Sequence, residues 1–256
     1  DVDVENNYYE YLLSCKCLNT SMSYFNKSMN DRLKRKSVDQ YFKTILETTD
    51  LQDRREWNVY TIDSEKTLDY DDAFGISYDS DTTIISIYIA NVPLWLDVLN
   101  LWEAFSKRVS TIYLPDKKRP MMPVILSENL CSLKSGVDKL ALSLDIKINS
   151  NFEIINMSYH NVLINVAANL VYDTDTLNNT EDYVNALQVL KKLNQQTKLI
   201  NKVNSSIEFI TYLMLTFNSH AGSIMIKSGN GIFRGTKNNI ISKLDDGLKY
   251  KVASTL

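Results

Sequence analysis

The stretch TIDSEKTLDYDDAFGI, residues 61–76, carries Asp63, Asp69, Asp71 and Asp72, four aspartates within ten positions. They lie between WNVYTI and AFGISY, two β-branched and aromatic segments that read as strands. Any fold of this chain must therefore bring two hydrophobic strands together where like charge is crowded. Asp63 falls at the exit of the first strand and Asp72 at the entrance of the second. Asp71 and Asp72 are adjacent, so in extended backbone their side chains point to opposite faces. With Asp63 arriving from another segment, the carboxylates can surround a point instead of lining one face.

Two readings of the cluster stand side by side. Aspartates favour turns because their side chains bond nearby backbone amides, and a solvated acidic turn is the bland outcome. The flanking Ile62, Ala73, Phe74 and Ile76, however, argue for buried backbone on both sides. Unpaired carboxylates a few ångströms apart in a partly buried site repel by on the order of several kcal/mol, and their pKa values rise. A divalent cation with a preference for oxygen removes that cost, and Mg²⁺ or Mn²⁺ suits carboxylate ligation completed by water and phosphate. A helix–loop–helix calcium loop is excluded, because Gly and a terminal Glu are not at the required offsets. Such a centre suits phosphodiester hydrolysis, in which metal ions activate water and stabilise charge developing on phosphate. Spacing alone leaves both readings open.

Away from the cluster, residues 1–55 are polar overall. Recurrences at Tyr8, Tyr11 and Leu12 and at Tyr41, Phe42, Ile45 and Leu46 predict two helices joined by the basic RLKRK stretch. TTIISIYIANV follows the turn-like DSDT and predicts a further strand, which makes a small antiparallel arrangement with its two predecessors. Val98, Leu101, Trp102, Phe105 and Val109 form one face of a single predicted helix. YLPDKKRPMMP holds three of the four prolines and predicts a surface loop. KLALSLDIKI and EIINMSYHNVLIN read as two strands turning at residues 149–151. Thr180 is placed as the N-cap of EDYVNALQVLKKLNQQTKLI, and a largely apolar helix is predicted from about Ser206 to Lys227.

At 256 residues and 44% hydrophobic composition, the chain can bury a core. A net charge of -3 does not favour a polyanion partner globally, but basic patches stand at residues 31–37 and at Lys107, Arg108, Lys117, Lys118 and Arg119. Only local potential matters to a strand entering a groove. Cys15, Cys17 and Cys131 cannot form a disulfide framework or a paired-cysteine zinc site, so reduced thiols and an intracellular, cytoplasmic setting are expected. FITYLMLTF is too short to span a bilayer, and no membrane association is expected. The first residue, Asp1, and the final YKVASTL read as the ends of a piece of a longer polypeptide. His160 and His220, each on a mainly apolar segment, are assigned structural roles, and Cys131 is assigned to packing.

Several motifs resemble the catalytic domain of the ribonuclease II (RNB) family. TIDSEKTLDYDDAFGI is similar to its signature of T-I-D, five residues, then D-x-D-D-A. IYIANV, the run from YLP through PMMP to LSENLCSL, and NVLINVAANLVYDT follow in the family's order; GIFRGT and YKVASTL match weakly. The resemblance implies exoribonucleases that digest single-stranded RNA from its 3′ end to nucleoside 5′-monophosphates. It implies that Asp63, Asp69, Asp71 and Asp72 hold one or two Mg²⁺ (or Mn²⁺) ions, with Asp71 orienting the attacking water. By the same resemblance Tyr113 stacks or packs against the terminal nucleotides. Physics agrees independently, since an aromatic beside Lys117, Lys118 and Arg119 suits a stacking platform with phosphate contacts. Three departures stand out: Asn91 replaces a frequent aspartate, Tyr212 falls near an expected glutamate with Glu208 close but offset, and the family's Ser-Pro-(Ile/Leu)-Arg-Arg element would extend past Leu256. The family's flanking OB-type barrels are not expected within this chain.

The expected fold is therefore α/β in the mixed, α+β-like sense, with a mixed or antiparallel sheet around the acidic centre and helices over it. A helical N-terminal segment, residues 1–55, precedes an RNB-like catalytic domain at 56–256 that is C-terminally incomplete. The expected function is metal-dependent 3′-to-5′ hydrolysis of single-stranded RNA, with a complex for RNA degradation as a further expected partner. One rival is a non-catalytic RNA-binding or regulatory protein on the same fold. Another is a nuclease or phosphatase acting on a different polyanion.

Overall fold

The computed structural model describes residues 4–15, 20–107, 110–231 and 233. Its N-terminal part holds three helices, α1 (Val4–Cys15), α2 (Thr20–Leu33) and α3 (Val38–Thr48), where periodicity predicted two. The basic stretch ends α2 and turns the chain into α3. Ser37 caps α3 reciprocally: the Gln40 amide donates to Ser37 Oγ, and the Ser37 amide donates to Gln40 Oε1. Phe25 and Met29 of α2, with Tyr41 and Ile45 of α3, are buried in a core shared with Trp95, Leu96 and Leu140.

Seven strands form one sheet in the order β1 (Gln52–Arg54), β8 (Ile154–Asn165), β7 (Asp138–Ile148), β4 (Thr82–Ala90), β3 (Asp72–Asp79), β2 (Tyr60–Asp63), β9 (Ala168–Val171). Pairing is antiparallel except at the edges, where β1 runs parallel to β8 and β9 parallel to β2. The sheet is thus mixed, and β7 and β8 are joined by residues 149–153, which include the turn predicted at 149–151. β1 lies on the N-terminal side of residue 55, so this part of the chain is tied into the sheet through β8.

The sheet is covered on both faces, which explains why AFGI is buried without a break. Ala73, Tyr88 and Ala90 face the core formed with α2, α3 and α4 (Val92–Val98). Ile62, Phe74, Ile85, Ile87 and Leu170 face a second core under α6 (Asp175–Asn178), α7 (Glu181–Thr197) and α8 (Ser206–Lys227). There Phe74, Tyr183 and Phe209 meet edge to face, with Phe74 and Phe209 centroids 4.9 Å apart. α8 has the predicted bounds, whereas α7 stops at Thr197, three residues short of the predicted end, because Lys198 is left-handed. Thr180 occupies the N-cap position of α7, but its hydroxyl donates back to the Thr176 carbonyl instead of capping.

Two predictions fail in the middle of the chain. The single helix read through Val98, Leu101, Trp102 and Phe105 is two short ones, α4 and α5 (Trp102–Ser106), and Val109 lies outside the described residues. Asn100 between them has φ of 50°, a left-handed conformation that no continuous helix contains. Trp102 consequently turns outward and donates to Asp97 Oδ1. The proline-rich segment read as a loop contains a small hairpin, β5 (Ile112–Tyr113) with β6 (Lys118–Arg119), followed by a π-helical turn at Ile125–Leu130. Among the described residues no helix is long and apolar enough to cross a membrane.

An ion pair unforeseen in the sequence fastens β1 to the sheet. Arg54, 3% exposed, donates to both Asp145 oxygens at 2.9 and 2.6 Å, and lies 4.5 Å over the Trp57 ring. Ser86 Oγ donates to the same carboxylate, while Gln52 Oε1 accepts from Arg54 and Gln52 Nε2 lies 2.8 Å from His160 Nδ1. His160 is therefore a member of this network, as a structural role requires. Removing one partner leaves a buried charge, so Arg54→Ala should cost about 3–5 kcal/mol in urea denaturation. Lys147→Ala, which breaks the solvent-facing pair with Asp79, should cost under ~1 kcal/mol in the same measurement.

Candidate active site

β2 ends on Asp63 and β3 begins on Asp72, and the antiparallel pairing of Tyr60 with Phe74 brings those ends side by side. Neighbouring strands hold both. Val171 of β9 is opposite Asp63, the Tyr172 amide donates to the Asp63 carbonyl, and the Ala90 amide donates to the Asp71 carbonyl. The connecting loop is clamped by the segment after the π-helical turn. Leu133 donates to the Tyr70 carbonyl at 2.8 Å; the Tyr70 amide donates to Ser132 Oγ, whose hydroxyl reaches the Leu68 carbonyl. Ser132 is fully buried. Its role was not visible in the sequence, although it lies inside the LSENLCSL run.

The four carboxylates occupy one neighbourhood and act on one another. Burial, with Asp71 and Asp69 adding repulsion, lifts Asp63 to about 6 against a hydrogen bond from Thr61. Burial, then Asp63 and Asp71, lifts Asp72 to about 7. Asp71 is open to solvent at the rim, and there partial desolvation and Asp69 raise the pKa while Lys118 lowers it. Asp69 is the exception to this pattern of unpaired acids, since Lys118 Nζ sits 2.9 Å from its Oδ2. Tyr172, another residue missed in the sequence, stands beside the group; burial and then Asp72 and Asp63 push its hydroxyl to about 12, so it stays a protonated donor.

The donor set is right in kind for a hard dication, being all carboxylate with two members forced towards neutrality. It is not gathered as it stands. Among the described residues no group of three or more His, Cys, Asp or Glu is placed to hold a metal ion.

The expected RNA-contacting residues share the β5–β6 hairpin. Tyr113 is 73% exposed and pairs across the hairpin with Lys118. Arg119 closes a bidentate pair with Asp116 at 2.6 and 2.9 Å, which holds that carboxyl down at about 2, and also donates to the Lys117 carbonyl. Lys107 pairs with Glu103 and lies over the Tyr24 ring, whereas Arg108, Cys17, most of GIFRGT and all of YKVASTL lie outside the described residues.

The departures at Asn91 and Tyr212, and the offset of Glu208, have local explanations. Asn91 is buried, caps α4, and donates to Asn161 Oδ1 at 2.8 Å. Tyr212 is buried with its hydroxyl 3.0 Å from Thr197 Oγ1. Glu208 accepts from the Asn204 and Ser205 amides as half of the capping box of α8, and so is committed away from the acidic cluster. Cys131 is buried with its thiol pushed up to about 12 by burial, which suits packing and not nucleophilic attack. His220 stacks on Tyr159 and lies 3.2 Å from its hydroxyl.

A pH dependence follows from the raised carboxyls. Unfolded, they ionise near 3.8; folded, Asp63 and Asp72 hold their protons to about 6 and about 7. The native state thus binds more protons over that interval, and its stability declines as pH rises from about 4 to about 7. Thermal melts in a chelator should show the midpoint falling across this window, and Asp72→Asn should remove most of the fall.

Residues 51–248 match the RNB domain. The chain is 32% identical over 158 residues to ribonuclease R of Mycoplasmopsis pulmonis, covering 61% of this chain and 20% of that protein. It is 32% identical over 149 residues to the human exosome complex exonuclease RRP44, covering 56% of this chain and 16% of that one. The chain thus spans about a fifth or less of the length of these relatives. In fold it is similar to Mycoplasma genitalium RNase R in complex with ribose methylated single-stranded RNA, with a TM-score of 0.58 at 18% identity over 86% of this chain and 42% of that one. It is also similar to yeast Ssd1, a pseudonuclease, with a TM-score of 0.63 at 16% identity over 78% of this chain and 29% of that one. The match across 51–248, with the acidic cluster inside it, establishes that this chain belongs to the RNB-domain family.

Proposed function

We propose that this chain carries the catalytic centre of a metal-dependent 3′-to-5′ exoribonuclease that hydrolyses single-stranded RNA to nucleoside 5′-monophosphates. The observation that carries this reading is the junction of β2 and β3, where four mutually repelling carboxylates are held together inside the RNB match. The names of the relatives, ribonuclease R and an exosome complex exonuclease, support the substrate and reaction class. The polarity of digestion rests on the family resemblance.

In this reading Asp63, Asp69, Asp71 and Asp72 hold Mg²⁺ or Mn²⁺. The bound ion would supply activation of water and neutralisation of charge on the scissile phosphate. The chain's own groups do the rest. Asp71, at the solvent-facing rim, accepts a hydrogen bond from the attacking water and orients it. Tyr113, exposed on its hairpin, offers a face to a terminal base, worth ~1–3 kcal/mol. Lys117, Lys118 and Arg119 supply positive charge to the backbone phosphates. Tyr172 keeps its proton and can donate to an oxygen beside Asp63 and Asp72. RNA is the partner, the setting is intracellular, and an assembly for RNA degradation is a further partner by analogy with the exosome relative.

A second reading, an RNA-binding protein without hydrolysis, is favoured by one observation, the Lys118 ammonium already bonded to Asp69. The likeness to Ssd1 shows that the same fold is found in a pseudonuclease. Activity on DNA or a nucleotide is a third reading, which the same assay addresses with those substrates. With full-length protein and Mg²⁺, oligo(A) labelled at its 3′ end should lose the label at once as mononucleotide, while a 5′ label should persist through progressively shorter products. RNA bound but never shortened would establish the second reading. Asp71→Asn should lower turnover at least about 100-fold while RNA affinity stays within a few-fold.

A further inference from the structure

Lys118 reaches Asp69 across 49 positions of sequence, and the contact does not hold the hairpin together. The hairpin is braced by the Arg119–Asp116 pair, by the Ile112–Arg119 and Tyr113–Lys118 pairings, and by the Met121 amide donating to Thr111 Oγ1. Nor does the contact hold the acidic loop, which is clamped by Ser132, Leu133 and Ala90. Both partners are about one-third exposed, so water competes for each of them. The pair is therefore weak and dispensable to the fold, yet it takes up one oxygen of the acidic centre.

We infer that Lys118 is a positioning residue that couples cation binding to RNA binding, because the ammonium that now pairs with Asp69 has its charge divided once a phosphate of the RNA shares it. This rests on the proposed function and adds a regulatory contact to its site. With neither ligand bound, Lys118 stands in for the divalent ion and weakens the site for it. An RNA phosphate arriving beside Tyr113 draws the ammonium away and frees Asp69 for the metal. A metal arriving first frees Lys118 for phosphate. Linkage makes the two effects equal in size. The pair compensates one carboxylate of the unloaded centre, and favours full assembly of the site when RNA lies along the hairpin.

The test is Mn²⁺ titration by calorimetry on the full chain, with and without 2′-O-methylated oligo(A). Lys118→Gln should bind Mn²⁺ about 2–5-fold more tightly than the native protein, a difference of ~0.4–1 kcal/mol. Lys118→Arg, which keeps the charge, should stay near the native value. Lys66→Gln removes the same formal charge from the acidic loop itself and should change the affinity less than about 2-fold, which separates a direct contact from a general field effect. The oligomer should tighten Mn²⁺ binding to the native protein by a factor about 2–5-fold larger than it does for Lys118→Gln. Equal Mn²⁺ affinity in native protein and Lys118→Gln, or an equal gain in Lys66→Gln, overturns the coupling while leaving the metal centre standing. Absence of Mn²⁺ binding in every variant overturns the metal centre and the coupling with it.

Discussion

The backbone carbonyls of Asp63, Tyr70 and Asp71 accept hydrogen bonds from Tyr172, Leu133 and Ala90, so residues that repel one another are anchored through groups that carry no charge. Each such bond contributes about 0.5–1.5 kcal/mol net, and burial of Ile62, Ala73 and Phe74 beside them adds more. Burial first, and the repulsion after it, are expressed as proton affinity, which is why Asp72 and Asp63 resist ionisation.

The sheet can bear that load because it is packed on both faces and tied at its far edge. One core lies under α2, α3 and α4 and the other under α6, α7 and α8, so no strand near the carboxylates has a solvent-facing side along its centre. The Arg54–Asp145 pair fixes β1 against β7 and β8, with Ser86, Gln52 and His160 satisfying the remaining polar atoms. Buried charge pairs of this type contribute less to stability than their geometry suggests, but they enforce one arrangement because every alternative leaves a charge without a partner.

Family membership and activity are separate matters here. The RNB fold accommodates a nuclease in Mycoplasma and a pseudonuclease in yeast, so the fold decides where a centre can form and the side chains decide whether it works. In this chain the carboxylates are present, the aromatic and cationic hairpin lies next to them, and one cation of that hairpin already touches the cluster. The positions that depart from the family pattern are each absorbed into local structure: Asn91 into a cap and a side-chain pair, Tyr212 into the interface between α7 and α8, and Glu208 into a capping box. None of them is an orphaned polar group in search of a ligand.

Short-range order was legible in the residues themselves. Alternation and β-branching located β2, β3, β4, β7 and β8, and a largely apolar run located α8, because such signals are local and tertiary contacts reinforce them. The placement of Asp63 and Asp72 at facing strand ends was legible for the same reason. Periodicity misled at Val98–Phe105, where Asn100 in a left-handed conformation breaks a pattern that spacing alone makes continuous. What only the tertiary structure decided is long-range: Arg54 choosing Asp145, Ser132 clamping the acidic loop, Tyr172 standing beside the carboxylates, and Lys118 occupying Asp69. A charge or a hydroxyl in a sequence carries no record of its partner, since its pairing energy depends on distance and burial that exist only once distant segments have packed.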